Sequence, residues 1–343
     1  MQGSPGAGIA REPPTGAART IPTRPAKGSS IDLVVGLRLR SDKWQDRKMA
    51  LNEGGTVGAL LGFDEPRFLR AVTFERHDLD PIGAVGMESI TLAASDGDEI
   101  RCLFLTPSTP KPWHCAMIAV HQHAGRFDLG KSELAGLRGD PSMAFGLRLA
   151  QSGFPTLIPD LLGFEERQRP GDDPASVERF DAFIRIAEGT SLQAKHTIDV
   201  AVATSWLAEN DDIVGPIGIM GHSLGGQIAL FNLAFDSRLK AGVINCGIGT
   251  LTSFRDEHIP HNPAWFVSGL IERGDVQSIA TLITDRRVLV AAGTADPWFP
   301  ADGVRAVVNV FPPGACDYRE ERTAHELSEE ILSAAVVWLR QNL

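Results

Sequence analysis

The sequence predicts an α/β fold built on a doubly wound, mostly parallel sheet of eight strands. From residue 116 onward, short apolar runs alternate with longer segments in which apolar residues recur at helical spacing. The apolar runs are nearly continuous, which is typical of parallel strands that are buried on both faces. A small helical cap insertion and an N-terminal helical extension complete the predicted architecture.

The composition favours an ordinary globular protein, since 43% of the 343 residues are hydrophobic and 22% are charged. The net charge of −10 argues against nucleic acid or an anionic membrane as a partner, because both select basic patches. The four cysteines form no paired motif, which argues against a disulfide framework or a zinc knuckle. No apolar stretch is long enough for a membrane span, and no signal peptide is visible. We therefore expect a cytoplasmic protein, with homo-oligomerisation left open.

The N-terminal region differs from the rest of the chain. Residues 1–30 are rich in Gly, Pro, Ala and Thr, and we expect a disordered or loosely packed tail. A mitochondrial or plastid presequence is a competing interpretation, although the acidic residue and the prolines disfavour an amphipathic helix. Residues 31–84 show helical periodicity in pieces and predict the N-terminal helical extension. Residues 85–343 then form the predicted catalytic domain.

The first two predicted strands form a hairpin around the Asp96-Gly97 turn. A helix or a loop precedes each later strand. The predicted strands are residues 87–94, 99–106, 116–121, 154–158, 213–220, 241–245, 287–292 and 316–319. The predicted helices are residues 141–152, 191–210, 301–310 and 326–341. The charged, proline-containing residues 161–185 predict a surface excursion, and residues 250–286 predict the cap insertion.

The strongest functional signal is the G-x-S-x-G motif at residues 221–225, placed between an apolar strand and an apolar-periodic helix. A serine on such a tight turn has an exposed hydroxyl, and the flanking glycines leave room for the cramped backbone. Ser223 is the predicted nucleophile. Because the following helix aims unpaired N–H groups at the same point, the Leu224 N–H is a predicted donor to an oxyanion.

A serine nucleophile needs a base and an acid that orients the base, and in this motif class they follow in the order acid, then histidine. Asp296 follows the predicted strand 287–292, and His325 is the only histidine after it. The competing interpretations are a helix-capping role for Asp296 and a surface position for His325. Other acids in this part of the chain, which are weaker candidates, are Asp256, Asp275 and Asp317.

The second oxyanion donor should come from the loop after the third predicted strand, where the sequence reads H-Q-H-A-G at residues 121–125. The N–H of His123, or otherwise that of Gln122, would complete the hole. A metal site is the alternative for the two histidines of this loop, but no carboxylate or cysteine stands at a supporting spacing. We expect no metal and no cofactor.

The cap insertion is predicted to cover the site and to shape the pocket for the acyl or alcohol part of a substrate. An inert surface segment is the alternative. The predicted pocket residues are His121, His222, His258, His261, Trp265 and Trp298.

These motifs resemble the α/β-hydrolase superfamily, and within it the branch of dienelactone hydrolases and acetyl xylan esterases. The resemblance rests on G-H-S-L-G-G at 221–226, H-Q-H-A-G at 121–125, G-T-A-D-P-W-F-P at 293–300 and the late His325. The resemblance covers about residues 85–343 and implies a serine esterase that forms an acyl-enzyme. Two departures are that dienelactone hydrolases carry a cysteine in place of Ser223, and that relatives often carry glycine in place of Gln122.

Three functions follow from this pattern. The first is a hydrolase of small or medium carboxylic esters, lactones or thioesters. The second is a biosynthetic enzyme that uses the same triad to transfer the acyl group or to close a ring. The third is a hydrolase-like binding protein with little turnover, against which the complete set of three residues argues.

Overall fold

The computed structural model of the protein describes residues 57–61, 71–94 and 96–343. The predicted tail at 1–30 and most of the predicted extension at 31–84 lie outside these ranges. None of the helices within them has the length and apolar character needed to cross a membrane.

In the described part of the chain, nine strands form one sheet, one strand more than predicted. They are β1 (Thr73–Ile82), β2 (Val85–Ala93), β3 (Glu99–Thr106), β4 (Ala116–Val120), β5 (Thr156–Pro159), β6 (Ile217–His222), β7 (Leu239–Asn245), β8 (Arg287–Gly293) and β9 (Cys316–Glu321). Their order is β1-β2-β3-β5-β4-β6-β7-β8-β9. The three pairings from β1 to β5 are antiparallel and the five from β5 to β9 are parallel, so the mostly parallel α/β sheet is confirmed.

The additional strand, β1, lies within residues 31–84, which were predicted to form a helical extension, and for residues 73–82 that prediction is wrong. β1 pairs with β2 at the edge of the sheet, and its residues are exposed except for the half-buried Ile82. Because neither face of β1 is buried, its sequence lacks the alternation of apolar and polar residues from which a strand is recognised.

Ten helices occur among the described residues, and the four predicted at 141–152, 191–210, 301–310 and 326–341 are among them, with small differences at their ends. They are α1 (Val57–Leu61), α2 (Lys131–Leu134), α3 (Phe145–Gln151), α4 (Pro174–Ala187), α5 (Leu192–Ala208), α6 (Leu224–Phe235), α7 (Leu251–Asp256), α8 (Asp275–Ala280), α9 (Ala301–Val308) and α10 (Glu329–Asn342). Short 3₁₀ turns lie at Pro141–Met143, Glu165–Arg167, Pro263–Trp265 and Ile271–Arg273.

Helix α4 corrects the prediction that residues 161–185 are only a surface excursion. The carboxylate of Asp173 caps the helix by accepting from the Ser176 N–H at 3.0 Å, and Pro174 stands at the first helical position. Its large apolar residues point outward, with Phe180 56% and Phe183 69% exposed. Because this apolar stripe does not face the core and charged residues surround it, the sequence pattern did not predict the helix.

The hydrophobic core lies on both faces of the sheet, as expected for a parallel sheet covered by helices. All five residues of β4 are buried, and they alternate between the two cores. Ile118 and Val120 belong to the larger core with α5 and α6, whereas Met117 and Ala119 belong to the one with α3 and α10. This packing fixes the central strands from which the functional loops extend.

The parallel arrangement brings four functional loops to one edge of the sheet. β4 ends at Val120, directly before the H-Q-H-A-G loop, and β6 ends directly before Ser223. β8 and β9 end shortly before Asp296 and His325, respectively. Because the carboxyl ends of parallel strands share one edge, the loops converge there. The insertion between β7 and β8, which contains α7 and α8, begins at the same edge.

Candidate active site

Ser223 lies on a sharp turn between β6 and α6, with φ 55° and ψ −122°. Residues other than glycine rarely adopt such angles, so the turn is strained and the surrounding structure must hold it. The Ser223 N–H donates to the Asn245 carbonyl at 3.0 Å, and the Ser223 carbonyl accepts from the Gly226 N–H at 2.9 Å. The serine side chain does not cap α6. Its hydroxyl is therefore available for chemistry.

The glycines of the motif permit close approaches of the backbone. A Cβ atom on Gly221 would lie 2.1 Å from the carbonyl oxygen of Gly225, and one on Gly225 would lie 2.1 Å from that of Val120. A Cβ atom on Gly226 would lie 2.8 Å from the Cα atom of Gly247. Each distance is shorter than non-bonded contacts allow, so a side chain at these positions would displace main chain.

Asp296 and His325 form a hydrogen-bonded pair. The Nδ1 atom of His325 donates to Oδ2 of Asp296 at 2.8 Å, and the carboxylate side chain is only 1% exposed. The other carboxylate oxygen, Oδ1, accepts from the N–H groups of Trp298 at 2.8 Å and Phe299 at 3.3 Å. With its proton on Nδ1, the imidazole keeps Nε2 free to accept a proton.

The two loops that carry this pair are joined through their backbones. The Thr294 N–H donates to the Glu321 carbonyl at 2.8 Å, and the Ala295 N–H donates to that of Thr323 at 2.9 Å. A Cβ atom on Gly293 would lie 2.2 Å from the carbonyl oxygen of Ala324. The glycine at the end of β8 therefore lets the histidine loop approach closely enough for the hydrogen bond to Asp296.

His222 lies directly beside the histidine loop. Its ring centre is 4.9 Å from that of His325, and its Nδ1 atom accepts from the side-chain amide of Asn245 at 2.7 Å. The same amide also donates to the Glu326 carbonyl at 3.0 Å. Asn245 thus links the strand before the nucleophile to the loop of the base. Burial, reinforced by the neighbouring His325, lowers the pKa of His222 to about 3.

The loop after β4 packs against the start of α6. A Cβ atom on Gly225 would lie 2.8 Å from the carbonyl oxygen of His121, which places this loop beside the first turn of the helix. Leu224 is the first residue of that helix. This neighbourhood is the one required if the N–H groups of Leu224 and of His123 or Gln122 are to form an oxyanion hole, and that assignment stays a prediction.

The imidazole ring of His121 fixes this loop through two hydrogen bonds. Its Nδ1 atom donates to the Gln122 carbonyl at 2.8 Å, and its Nε2 atom accepts from the Leu161 N–H at 3.1 Å. Both bonds require a neutral ring with its proton on Nδ1. Burial lowers the pKa of His121 to about 4, in agreement with that form.

His123 is held from the other side by α4. Its Nδ1 atom accepts from the Gly125 N–H at 3.0 Å, so Nε2 carries the proton and donates to Oε1 of Glu178 at 3.0 Å. The ring packs edge-on against Phe127 and Phe164, at centroid distances of 5.0 and 5.2 Å. The side chain of His123 is therefore held by the loop and by α4, and its backbone N–H stays a predicted oxyanion donor.

An aromatic cluster connects the insertion to the base. Phe254 and His261 have ring centres 4.0 Å apart, and Trp265 lies 5.1 Å from Phe299. Phe299 in turn stacks on His325, with ring centres 5.4 Å apart and an interplanar angle of 11°. These contacts make the insertion part of the wall around the imidazole.

The structure assigns different environments to the six predicted pocket residues. His261 and Trp265 belong to the aromatic cluster, and the 44% exposed Trp298 borders it. His258 is exposed on the insertion. His121 and His222, which were also predicted to line the pocket, are both fully buried, so neither lines an accessible pocket. His121 is hydrogen-bonded to backbone groups, and His222 to the side chain of Asn245.

The competing acids have structural roles elsewhere. The carboxylate of Asp275 caps α7 by accepting from the N–H groups of Leu251 at 2.8 Å and Thr252 at 2.9 Å. Asp256 pairs with its neighbour Arg255, and Asp317 accepts from the Trp338 indole. None of these bonds involves His325, so Asp296 is the acid that the geometry selects.

One group of metal-ligating side chains occurs among the described residues. The sulfur of Cys246, a carboxylate oxygen of Asp296 and a ring nitrogen of His325 lie within 4.8 Å of one another. The last two residues are hydrogen-bonded to each other through Oδ2 and Nδ1. This hydrogen bond is the contact expected between a base and the acid that orients it, and the sequence analysis predicted no metal.

Three residues of the site were missed by sequence reasoning: Asn245, Cys246 and Phe299. The first two directly end or follow a parallel strand, and that position was the available signal. For Phe299 the only signal was its place in the loop after Asp296.

A pH dependence of stability follows from the buried histidines. Burial lowers the pKa of His121 to about 4, that of His222 to about 3, and that of His196 well below its ordinary value. Between about pH 6.5 and 4 the unfolded chain binds protons that the folded chain does not, so stability falls as pH falls. We expect a loss of about 1.4 kcal/mol per pH unit for each such histidine, measured by urea unfolding at several pH values.

His196 allows this expectation to be tested. Neither ring nitrogen of this buried residue has a hydrogen-bond partner among the described residues. His196→Leu should therefore leave stability near pH 7.5 unchanged or raised, and should make the pH slope shallower by about one proton. The exposed His258→Asn is the control. Parallel slopes for His196→Leu and the native protein would contradict the expectation.

Comparisons with known proteins agree with the predicted family and fold. A model of the alpha/beta hydrolase family matches residues 123–340. A Bacillus subtilis (strain 168) protein named "Putative hydrolase YtaP" is 26% identical over 254 residues, covering 69% of this chain and 81% of that protein.

Two solved structures are similar in fold at 16% identity each. Acetyl xylan esterase 1 from Thermoanaerobacterium sp. JW/SL YS485 has a TM-score of 0.63 and matches 83% of this chain and 92% of its own. An acetyl xylan esterase from Paenibacillus sp. R4 has a TM-score of 0.61 and matches 84% and 92%. At this identity the likeness concerns the fold alone.

Proposed function

The chain belongs to the alpha/beta hydrolase family, and from this premise we propose that it is a serine hydrolase that cleaves a carboxylic ester. Ser223 would act as nucleophile, His325 as general base and acid, and Asp296 as the group that orients the imidazole. The observation that carries the proposal is the hydrogen bond of 2.8 Å between His325 and Asp296, at the sheet edge where Ser223 also lies.

The geometry supports the first half of the reaction as follows. The Ser223 oxygen attacks the ester carbonyl carbon while its proton moves to Nε2 of His325. The carbonyl oxygen becomes an oxyanion, which the N–H groups of Leu224 and of His123 or Gln122 stabilise. His325 then gives its proton to the departing alcohol oxygen as the ester C–O bond breaks. The acyl group remains bound to Ser223.

Water completes the cycle by the same route. His325 takes a proton from a water molecule, whose oxygen attacks the acyl carbon, and the proton then passes to the Ser223 oxygen as the acid leaves. Asp296 takes up no proton in these steps, and its carboxylate stabilises the imidazolium that forms twice. Its three N–H donors hold it in place for this task.

Acetate esters of carbohydrates are the first substrates to test. The two structural relatives described as acetyl xylan esterases support this choice. The aromatic cluster beside His325 supplies an apolar wall, which suits a short acyl group better than a charged one.

The test combines 4-nitrophenyl acetate and acetylated xylose with a fluorophosphonate probe. We expect release of nitrophenol and acetate, and labelling of the peptide that contains Ser223. Labelling without turnover on any ester would favour acyl transfer or ring closure. Absence of both turnover and labelling would refute the serine hydrolase proposal.

A further inference from the structure

Cys246 directly follows β7 and lies beside the acid–base pair. Its side chain is buried, with the residue only 3% exposed. Its sulfur lies within 4.8 Å of a carboxylate oxygen of Asp296 and of a ring nitrogen of His325. No step of the reaction described above uses this thiol.

The backbone at Cys246 is strained. Its φ is +45°, in the left-handed region where glycine is the favoured residue. The conformation is fixed by the Cys246 N–H, which donates to the Ala291 carbonyl at 2.8 Å. Because glycine would adopt this conformation at lower cost, a residue with a side chain here indicates a use for the thiol.

The thiol has one proton and two neighbouring acceptors. The Cys246 sulfur is within hydrogen-bonding distance of the Glu326 carbonyl oxygen, at 3.6 Å, and this oxygen also accepts from the Asn245 amide at 3.0 Å. The Asp296 carboxylate is charged and is therefore the stronger acceptor. Its Oδ1 atom has two N–H donors and its Oδ2 atom has one, so Oδ2 has lone-pair capacity left.

We propose that Cys246 is a positioning residue whose S–H group donates to Asp296 and thereby holds the carboxylate against His325. This inference rests on the proposed function. The group acts through Asp296 and does not touch the substrate.

The chemistry of the site keeps the proton on sulfur. Burial, and next the negative charge of Asp296, raise the pKa of the Cys246 thiol to about 12. A neutral thiol is a donor, whereas a thiolate would repel the carboxylate. The other titratable groups facing the imidazole of His325 are His222 and His261, both with pKa values lowered by burial.

The test compares Cys246→Ala, which removes the donor, with Cys246→Ser, which keeps one. Without the S–H donor the carboxylate is held less firmly, which lowers kcat. Its negative charge is also less neutralised, so it favours the protonated form of the imidazole. For Cys246→Ala we expect kcat about tenfold lower with KM unchanged. In the pH profile of kcat/KM, the acidic limb is the fall in rate on the low-pH side. Its midpoint should rise by about half a pH unit or more. Cys246→Ser should restore most of both.

Cys102→Ala is the matched control. Cys102 is 1% exposed on β3, four strands away from β7 in the sheet, and burial likewise raises the pKa of its thiol. Cys102→Ala should lower thermal stability as Cys246→Ala does, but it should leave the acidic limb unchanged. Rates of fluorophosphonate labelling at Ser223, measured from pH 5 to 9, give this limb independently of ester turnover.

The outcomes separate the two proposals. A native protein that neither labels nor hydrolyses refutes the proposed function. If the native protein is labelled and the acidic limb of Cys246→Ala coincides with that of the native protein, the role of Cys246 is refuted. If Cys246→Ala does not fold, the S–H infrared band of Cys246 in the native protein is the second readout. This band is assigned as the one that is lost in Cys246→Ser. It should shift in Asp296→Asn, and an unshifted band would overturn the inference.

Discussion

Replacing Ser223 with alanine is expected to lower kcat/KM for ester hydrolysis by roughly 10³–10⁶-fold. The hydroxyl oxygen is the atom that forms the acyl bond, and without it only binding and oxyanion stabilisation remain. The fold should persist, because the serine side chain caps no helix and alanine keeps the same Cβ atom in the strained turn. The measurements are turnover of 4-nitrophenyl acetate and the melting temperature, which should change by less than about 4 °C.

Ser237→Ala provides the control for this prediction. Ser237 is an exposed serine in the turn after α6, and the same substitution there should leave turnover unchanged. If Ser223→Ala keeps turnover within about tenfold of the native rate after contaminating esterases are removed, Ser223 is not the nucleophile. An unfolded Ser223→Ala would instead show that the hydroxyl contributes to the turn.

The three proposed catalytic residues could be located from sequence because each stands at a fixed place relative to a strand. The G-x-S-x-G motif encodes its own turn, and a Cβ atom on Gly225 would meet main chain. Asp296 follows β8, whose buried apolar run is easily recognised. His325 follows β9, which is polar and has no buried residue, and it was selected because it is the only histidine after Asp296. Such local signals survive in a single sequence.

Features that depend on exposure or on distant contacts were not predictable. β1 has no buried face, and the apolar residues of α4 point outward, so neither gives a periodicity that leads to a core. The burial of His121 and His222 depends on the packing of loops from several strands. Sequence reasoning placed them correctly next to the site but could not tell which way their rings point.

Replacing Asp296 with asparagine is expected to lower kcat by about 10⁴-fold at neutral pH, although the side chain keeps its shape. The reason lies in the two oxygens of the carboxylate. Oδ1 accepts from the N–H groups of Trp298 and Phe299, so the carbonyl oxygen of an asparagine would take that place. The amide NH₂ group would then face Nδ1 of His325 in place of the acceptor Oδ2.

This orientation forces the imidazole into the wrong tautomer. Nδ1 of His325 would have to accept from the amide, so its proton would move to Nε2, the atom that must take the proton of Ser223. Asp302→Asn is the matched control, because that carboxylate is 97% exposed on α9. Binding of substrate should persist, so KM should change far less than kcat. A fall in kcat below tenfold, with the fold intact, would mean that the hydrogen bond between Asp296 and His325 is structural and that another group orients the base.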